Sequence, residues 1–128
     1  MMVFRSIGWD EEAARDLAAV YPDPEVLSQM ADAVARGDAT VFRIIAPHGS
    51  VGHLVLGLEH DQHGDDMVIY ALSGRGAGVV VAVDAFTREL AQTMGKDGVR
   101  GLTSRPGMAA HFERLGWRET ATLYRVEV

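Results

Sequence analysis

The chain has 128 residues, 48% of them hydrophobic and 23% charged, the size and balance of one compact domain spanning 1–128. It has no cysteine, which excludes disulfides and thiolate metal sites, and the apolar run around 79–83 is far shorter than the roughly 20 residues of a membrane span. Eighteen acidic residues against twelve basic ones, a net charge of −6, argue against a sequence-independent grip on nucleic acid, so an anionic ligand needs a local positive site. The first ten residues hold one arginine and no long apolar segment, so no signal peptide is expected and a cytoplasmic location is.

In chain order, 2–6 is short and β-compatible, and Asp10 then offers an N-cap with Glu11 and Glu12 in the first helical turn. Ala14, Leu17, Ala18 and Tyr21 recur at helical spacing until Pro22. Asp23 and Pro24 repeat the start signal, Val26, Leu27, Met30, Ala33 and Val34 form the second stripe, and Gly37 ends it. Val41, Phe42, Ile44 and Ile45 make a strand, 47–50 a turn, and 51–59 a second strand of the same hairpin. The polar run 60–66 is expected to be the next turn. Residues 67–72 are almost all apolar, as in a central strand covered on both faces.

After a glycine-rich stretch, Val79, Val83, Phe86, Leu90 and Met94 have helical spacing and close at Gly95. Residues 99–103 form a short strand, and Pro106 starts a helix with Met108, Phe112 and Leu115 on one face, ended by Gly116. Residues 119–128 alternate, with Thr122, Tyr124, Val126 and Val128 on one side, and are expected to close the chain as a strand. The order β-α-α-β-β-β-α-β-α-β, with no internal repeat or linker, predicts an α+β fold with a mixed sheet.

The strand, glycine loop and helix from Met67 to Gly95 carry the most chemistry. Loop glycines let successive N–H groups converge, and a helix start adds partial positive charge, so phosphate would bind there with Arg75 supplying a full charge. The alternative is a tight strand-to-helix turn that needs glycine only for positive φ. A Walker loop is excluded because Val79 and Val80 stand where Lys and Ser or Thr are required. A dinucleotide fingerprint on Gly76 and Gly78 would meet Val81 at its third small position, with Arg100 near the place of the acidic residue.

Ser73-Gly74-Arg75-Gly76-Ala77-Gly78, lying between the fourth strand and third helix, resembles the acyl-CoA pyrophosphate loop of the GNAT acetyltransferase superfamily. That pattern is Gln or Arg, two residues, Gly, any residue, Gly or Ala; Gly76 and Gly78 match, and Ser73 departs from it. Phe112-Glu113-Arg114-Leu115-Gly116-Trp117 is similar to the family's Tyr-Glu-x-Leu-Gly-Phe segment, with Phe112 at the tyrosine. The element order extends the resemblance over essentially the whole chain.

The resemblance implies a mixed central sheet of about six or seven strands flanked by four helices. It also implies transfer of an acyl group, from acetyl-CoA or another acyl-CoA, to an unidentified amine. The partners implied are thus a CoA thioester and an amine, with neither nucleic acid nor a membrane expected and a homodimer as one option. Tyr70, Leu72, Ser73, Gly74, Arg75, Gly76, Ala77, Gly78 and Val79 would hold the cofactor, the loop amides taking the pyrophosphate and the open end of the fourth strand pairing with pantetheine.

The reaction needs a deprotonated amine, a held thioester and a proton for the leaving thiolate. Phe112 has no proton to give, which leaves water, His111 or Tyr124, although His111 points about 100° away from Phe112 on a helix. Among candidate bases Glu59, His60 and His53, Glu59 is preferred, with an ordinary solvated strand end as its alternative; His53 also reads as a partly buried sheet histidine. The run 59–66 contains His and carboxylate but matches no standard metal spacing and reads as a polar turn, so no metal is expected. The competing expectation is a catalytically inactive binding or structural protein with this fold, of a kind also found in phages and prophages.

Overall fold

The computed structural model describes residues 1–76, 78–103, 106–120 and 124–127. The elements are β1 (Val3–Ile7), α1 (Glu11–Ala18), α2 (Pro24–Ala35), β2 (Ala39–Ala46), β3 (Gly49–Asp61), β4 (Gly64–Gly74), α3 (Gly78–Thr93), β5 (Gly98–Gly101) and α4 (Pro106–Arg114). The strands form one sheet in the order β1-β2-β3-β4-β5, antiparallel except for the parallel pair β4–β5.

Helices cover both faces. Ala13 and Leu17 of α1 and Leu27, Met30, Ala33 and Val34 of α2 pack on Val41, Val55 and Ala71. On the other face, Val79, Val83 and Ala91 of α3 pack on Ile44, Leu54, Leu56, Met67 and Ile69. Phe86 of α3 stacks on Phe4 at 4.1 Å between centroids and meets Phe42 edge-on at 5.2 Å, which ties the β1 edge to this core. The helix starts follow the sequence: Asp10 accepts from Ala13 N–H at 2.8 Å, and Asp23 accepts from Glu25 N–H at 2.9 Å ahead of Pro24.

Two expectations change. The polar run 60–66 is mostly strand, because β3 and β4 stay paired out to Asp61↔Gly64, leaving Gln62 and His63 as a two-residue turn. Gly64, at φ 137°, supplies the backbone conformation that closes it. Acidic residues are tolerated in this ladder because Arg100 on β5 holds Asp61 through both oxygens, at 2.6 and 2.9 Å, and Asp66 at 2.9 Å. The Arg100 guanidinium, together with the Asp61 bond from His63 N–H, draws the Asp61 carboxyl down to about 2. Second, the sheet has five strands among the described residues, not six or seven: 117–120 and 124–127 are not strand, while 121–123 and 128 of the expected closing strand lie outside the described residues.

β4 is irregular where the site lies. Val55 pairs with Ala71 but Leu56 pairs with Ile69, so Tyr70 is the extra residue of a β-bulge. Met67 and Ile69 therefore face α3, whereas Ala71 and Ser73 face α1. The parallel partner is lost at the same point, since β5 pairs only from Asp66↔Gly98 to Ile69↔Gly101 while β4 runs on to Gly74. Beyond the bulge β3 and β4 come together so closely that a Cβ on Gly52 would overlap the Ser73 carbonyl oxygen. Gly52→Ala should accordingly lower the unfolding midpoint, by the ~1–3 kcal/mol of an overpacked core or more. An unchanged midpoint in denaturant would show that the pair can part without cost.

Candidate functional site

The divergence of β4 from β5 opens a cleft of about 210 Å³, lined by Val20, Tyr21, Ile69, Leu72, Gly101, Leu102, Thr103, Met108 and Phe112. Its walls come from the end of α1, the two separated strands and α4. Having lost its β5 neighbour, Leu72 N–H donates to the Tyr21 hydroxyl oxygen at 3.1 Å. Tyr21 is held there by the last turn of α1, where its N–H donates to Leu17 C=O at 2.8 Å. A second, wider cavity shares Tyr21, Ile69, Gly101 and Leu102 with the first and extends to Glu59, Tyr70 and Arg100.

A partly buried polar cluster joins α1 to the sheet. The Asp16 carboxylate receives His53 Nδ1 at 2.6 Å, the Ser73 hydroxyl at 2.8 Å and Arg75 Nη1 at 3.2 Å. Arg43 Nε, which can only donate, lies 3.2 Å from His53 Nε2, so that nitrogen accepts and the ring proton sits on Nδ1, facing Asp16. Arg43 also binds Asp10 at 2.5 Å and Glu12 at 2.8 Å. Burial pushes the Asp16 carboxyl up, but the hydrogen bonds from His53 and Ser73 and the charge of Arg75 outweigh it, leaving the group below its usual value.

The expected site residues divide accordingly. Ser73 is buried with its hydroxyl spent on Asp16, and it also accepts from His53 N–H at 3.0 Å. Arg75 turns back from the loop: besides Asp16 it donates through Nη2 to Ser50 C=O at 2.9 Å and through its backbone to Val51 C=O at 2.8 Å. Val79 is in the α3 core and packs on Gly74, where a Cβ would collide with it. Gly76 is at φ 101°, Gly78 opens α3, and Ala77 lies outside the described residues. Leu72 faces the cleft, and Tyr70 at the bulge donates to Glu59 Oε1 at 3.1 Å.

Glu59 stands half-exposed on the wider cavity, 3.9 Å from Arg100. Phe112 lines the cleft and packs on Trp117 at 4.6 Å, and Trp117 Nε1–H donates to Asp84 of α3 at 2.6 Å. His111, on the same helix, lines neither cavity and contacts Arg114 at 3.4 Å. Tyr124 is 89% exposed and also lines neither. Of the two histidines weighed with Glu59, His60 is exposed at the strand end, and His53 is fully buried in the Asp16 cluster. The structure therefore brings Leu72 and Phe112 to one cleft and leaves His111 and Tyr124 away from it.

Sequence reasoning missed Asp16 and Tyr21 as site residues. The available signal for Asp16 was a carboxylate three positions after Ala13 and adjacent to Leu17, on the face that α1 buries. Because the folded value of Asp16 lies below its unfolded one, its contribution is present at neutral pH and is lost as pH falls below ~4 through the folded value. Asp16→Asn should lower stability at neutral pH by ~1.5–3 kcal/mol and flatten the loss of stability on acidification. Unfolding midpoints for both proteins across this range test it, and parallel pH curves would contradict it.

No family model matches the chain, and no curated protein does. Solved structures do. A putative acetyl transferase from Pyrococcus furiosus is similar with a TM-score of 0.75 at 15% identity, over 100% of both chains. A GCN5-related N-acetyltransferase from Ralstonia eutropha is similar with a TM-score of 0.74 at 15% identity, over 99% of both. An aminoglycoside N-acetyltransferase in complex with CoA is similar with a TM-score of 0.71 at 15% identity, over 100% of this chain and 95% of that one. With its bulged β4, its diverging β5 and four helices on one mixed sheet, the chain has the fold of the GCN5-related N-acetyltransferases.

Proposed function

We propose that the protein is an acyl-CoA-dependent N-acyltransferase, with acetyl-CoA as the donor and an amine as the acceptor. The observation that carries this reading is the cleft between β4 and β5, where β4 runs on to Gly74 past its last β5 pair, beside apolar walls, and Leu72 N–H, without a strand partner, is met by the Tyr21 hydroxyl alone. A pantetheine arm, itself an extended chain with amide groups, has the chemistry to replace a missing strand there. The pyrophosphate would meet backbone amides at the start of the 16-residue helix α3, whose first-turn N–H groups have no partners within the helix.

In this reading the side chains around the loop shape it. Arg75, tied to Asp16 and Ser50, fixes where the loop leaves β4, and Gly76 supplies the left-handed turn that aims the amides. Glu59 is the candidate base. Its carboxylate accepts from Tyr70 and faces the wider cavity that opens into the cleft, so an amine entering from that side could lose its proton to Glu59 directly or through water. The rival, a catalytically inactive binding module, draws on Phe112, which lines the cleft without a proton to donate.

Titration with acetyl-CoA by calorimetry tests the donor site: binding is expected, and its absence at millimolar concentration would refute the reading. Gly76→Ala should weaken binding by more than its melting temperature accounts for, since a Cβ at φ 101° strains the loop, although it has no neighbour within 4 Å to collide with. Arg75→Ala should weaken binding by ~1.5–3 kcal/mol, through a loosened loop or a lost contact. Thiol release that depends on an added amine separates the enzyme from the binding module.

A further inference from the structure

The cleft contains a hydroxyl, although Phe112 on α4 brings none. Tyr21 reaches the cleft from the end of α1, opposite Phe112 and Met108 of α4. Its oxygen accepts from Leu72 N–H, so the phenolic hydrogen is not used in that bond, and among the described residues no acceptor takes it. The other candidate donors are worse placed. Tyr70 O–H is already given to Glu59, His111 lines neither cavity, and Tyr124 is almost fully exposed.

We propose that Tyr21 is the proton donor to the leaving sulfur, the role Phe112 cannot fill. This rests on the acyltransferase reading above. The amine nitrogen bonds to the acyl carbon as the carbon–sulfur bond breaks; sulfur keeps the electron pair and takes the Tyr21 phenolic proton. Glu59 takes the proton of the incoming ammonium; the second proton, shed by nitrogen after it has attacked, returns to the Tyr21 oxygen, directly or through water, so the products are the amide and the free thiol and the tyrosine is restored. Leu72 N–H, already aimed at the phenolic oxygen, steadies the negative charge that oxygen carries between the two transfers. Asp16 of α1, five residues earlier, is a positioning residue: it fixes the helix against β3 and β4 and hence the reach of Tyr21.

Tyr21→Phe keeps the ring and removes only the hydroxyl. In the folded variant, hydrogen exchange at the Leu72 amide should speed up, acetyl-CoA binding by calorimetry should persist, and kcat for amine-dependent thiol release should fall by ~100-fold. Adding Phe112→Tyr to that variant returns a hydroxyl to the same cleft from its other wall and should recover part of kcat. An unchanged kcat in Tyr21→Phe, or a change confined to KM, overturns the role of Tyr21 while leaving the acyltransferase reading standing. A parent protein that binds acetyl-CoA but releases no thiol with any amine overturns both. Should Tyr21→Phe melt below the assay temperature, the same comparison is made at a lower temperature where both proteins are folded: a ~100-fold fall in kcat supports the role and an unchanged kcat overturns it.

Discussion

The Asp16 carboxylate is the constraint on which the rest of the site depends. It is the one group contacted by β3 through His53, by β4 through Ser73 and by the glycine loop through Arg75, while itself belonging to α1. An isolated carboxylate in that position would be costly to bury, and the cost is met by hydrogen bonds that require all three elements to be in place. The same contacts set the height and rotation of an eight-residue helix too short to be stable alone. Tyr21 follows that helix by one turn, so its meeting with Leu72 is fixed by a charge cluster that lies outside the cleft.

The second constraint is parity. Side chains alternate along a strand, so without an insertion Ile69, Ala71 and Ser73 would share one face. The extra residue at Tyr70 reverses the alternation, sending Ser73 to Asp16 while Ile69 remains beneath α3. It coincides with the end of β4–β5 pairing, and one irregularity thereby both builds the anchoring cluster and opens the cleft. Tyr70 occupies the space over Gly57, where a Cβ would overlap its ring, which shows how a glycine in β3 accommodates the bulge in β4.

Most of the fold was legible in the sequence because it rests on local signals. The caps at Asp10 and Asp23, Pro24 at a helix start, and the stripe Val79, Val83, Phe86 and Leu90 each mark an element that forms. The almost wholly apolar segment 67–72 correctly signalled a strand covered on both faces. The polar run 60–66 misled because its pairing depends on Arg100, over thirty positions away, neutralising Asp61 and Asp66. Residues 119–127 alternate as a strand would, yet alternation does not supply a hydrogen-bonding neighbour, and no strand forms among their described residues. In the candidate site, Leu72, Gly76 and Phe112 are named through the family resemblance, and the structure sets Leu72 and Phe112 on one cleft, whereas Asp16 and Tyr21 acquire meaning only when α1 is laid on β4.

Arg75 bears on how an acidic chain could receive a polyanionic donor. The sequence reads Arg75 as the charge that meets pyrophosphate, but its guanidinium is engaged by Asp16 and the Ser50 carbonyl, so part of its field is cancelled where the loop begins. In the proposed reaction, attraction then falls mainly to oriented backbone dipoles, which are fixed by the loop and cost no side-chain ordering when a ligand arrives. Such dipoles act over a short range, and the chain's net charge of −6 repels a polyanion at longer distance. Donor binding governed this way would depend more on the geometry of Gly76 and the α3 terminus than on the count of cations. On that reading the loop needs its arginine to hold it in shape rather than to meet the phosphate.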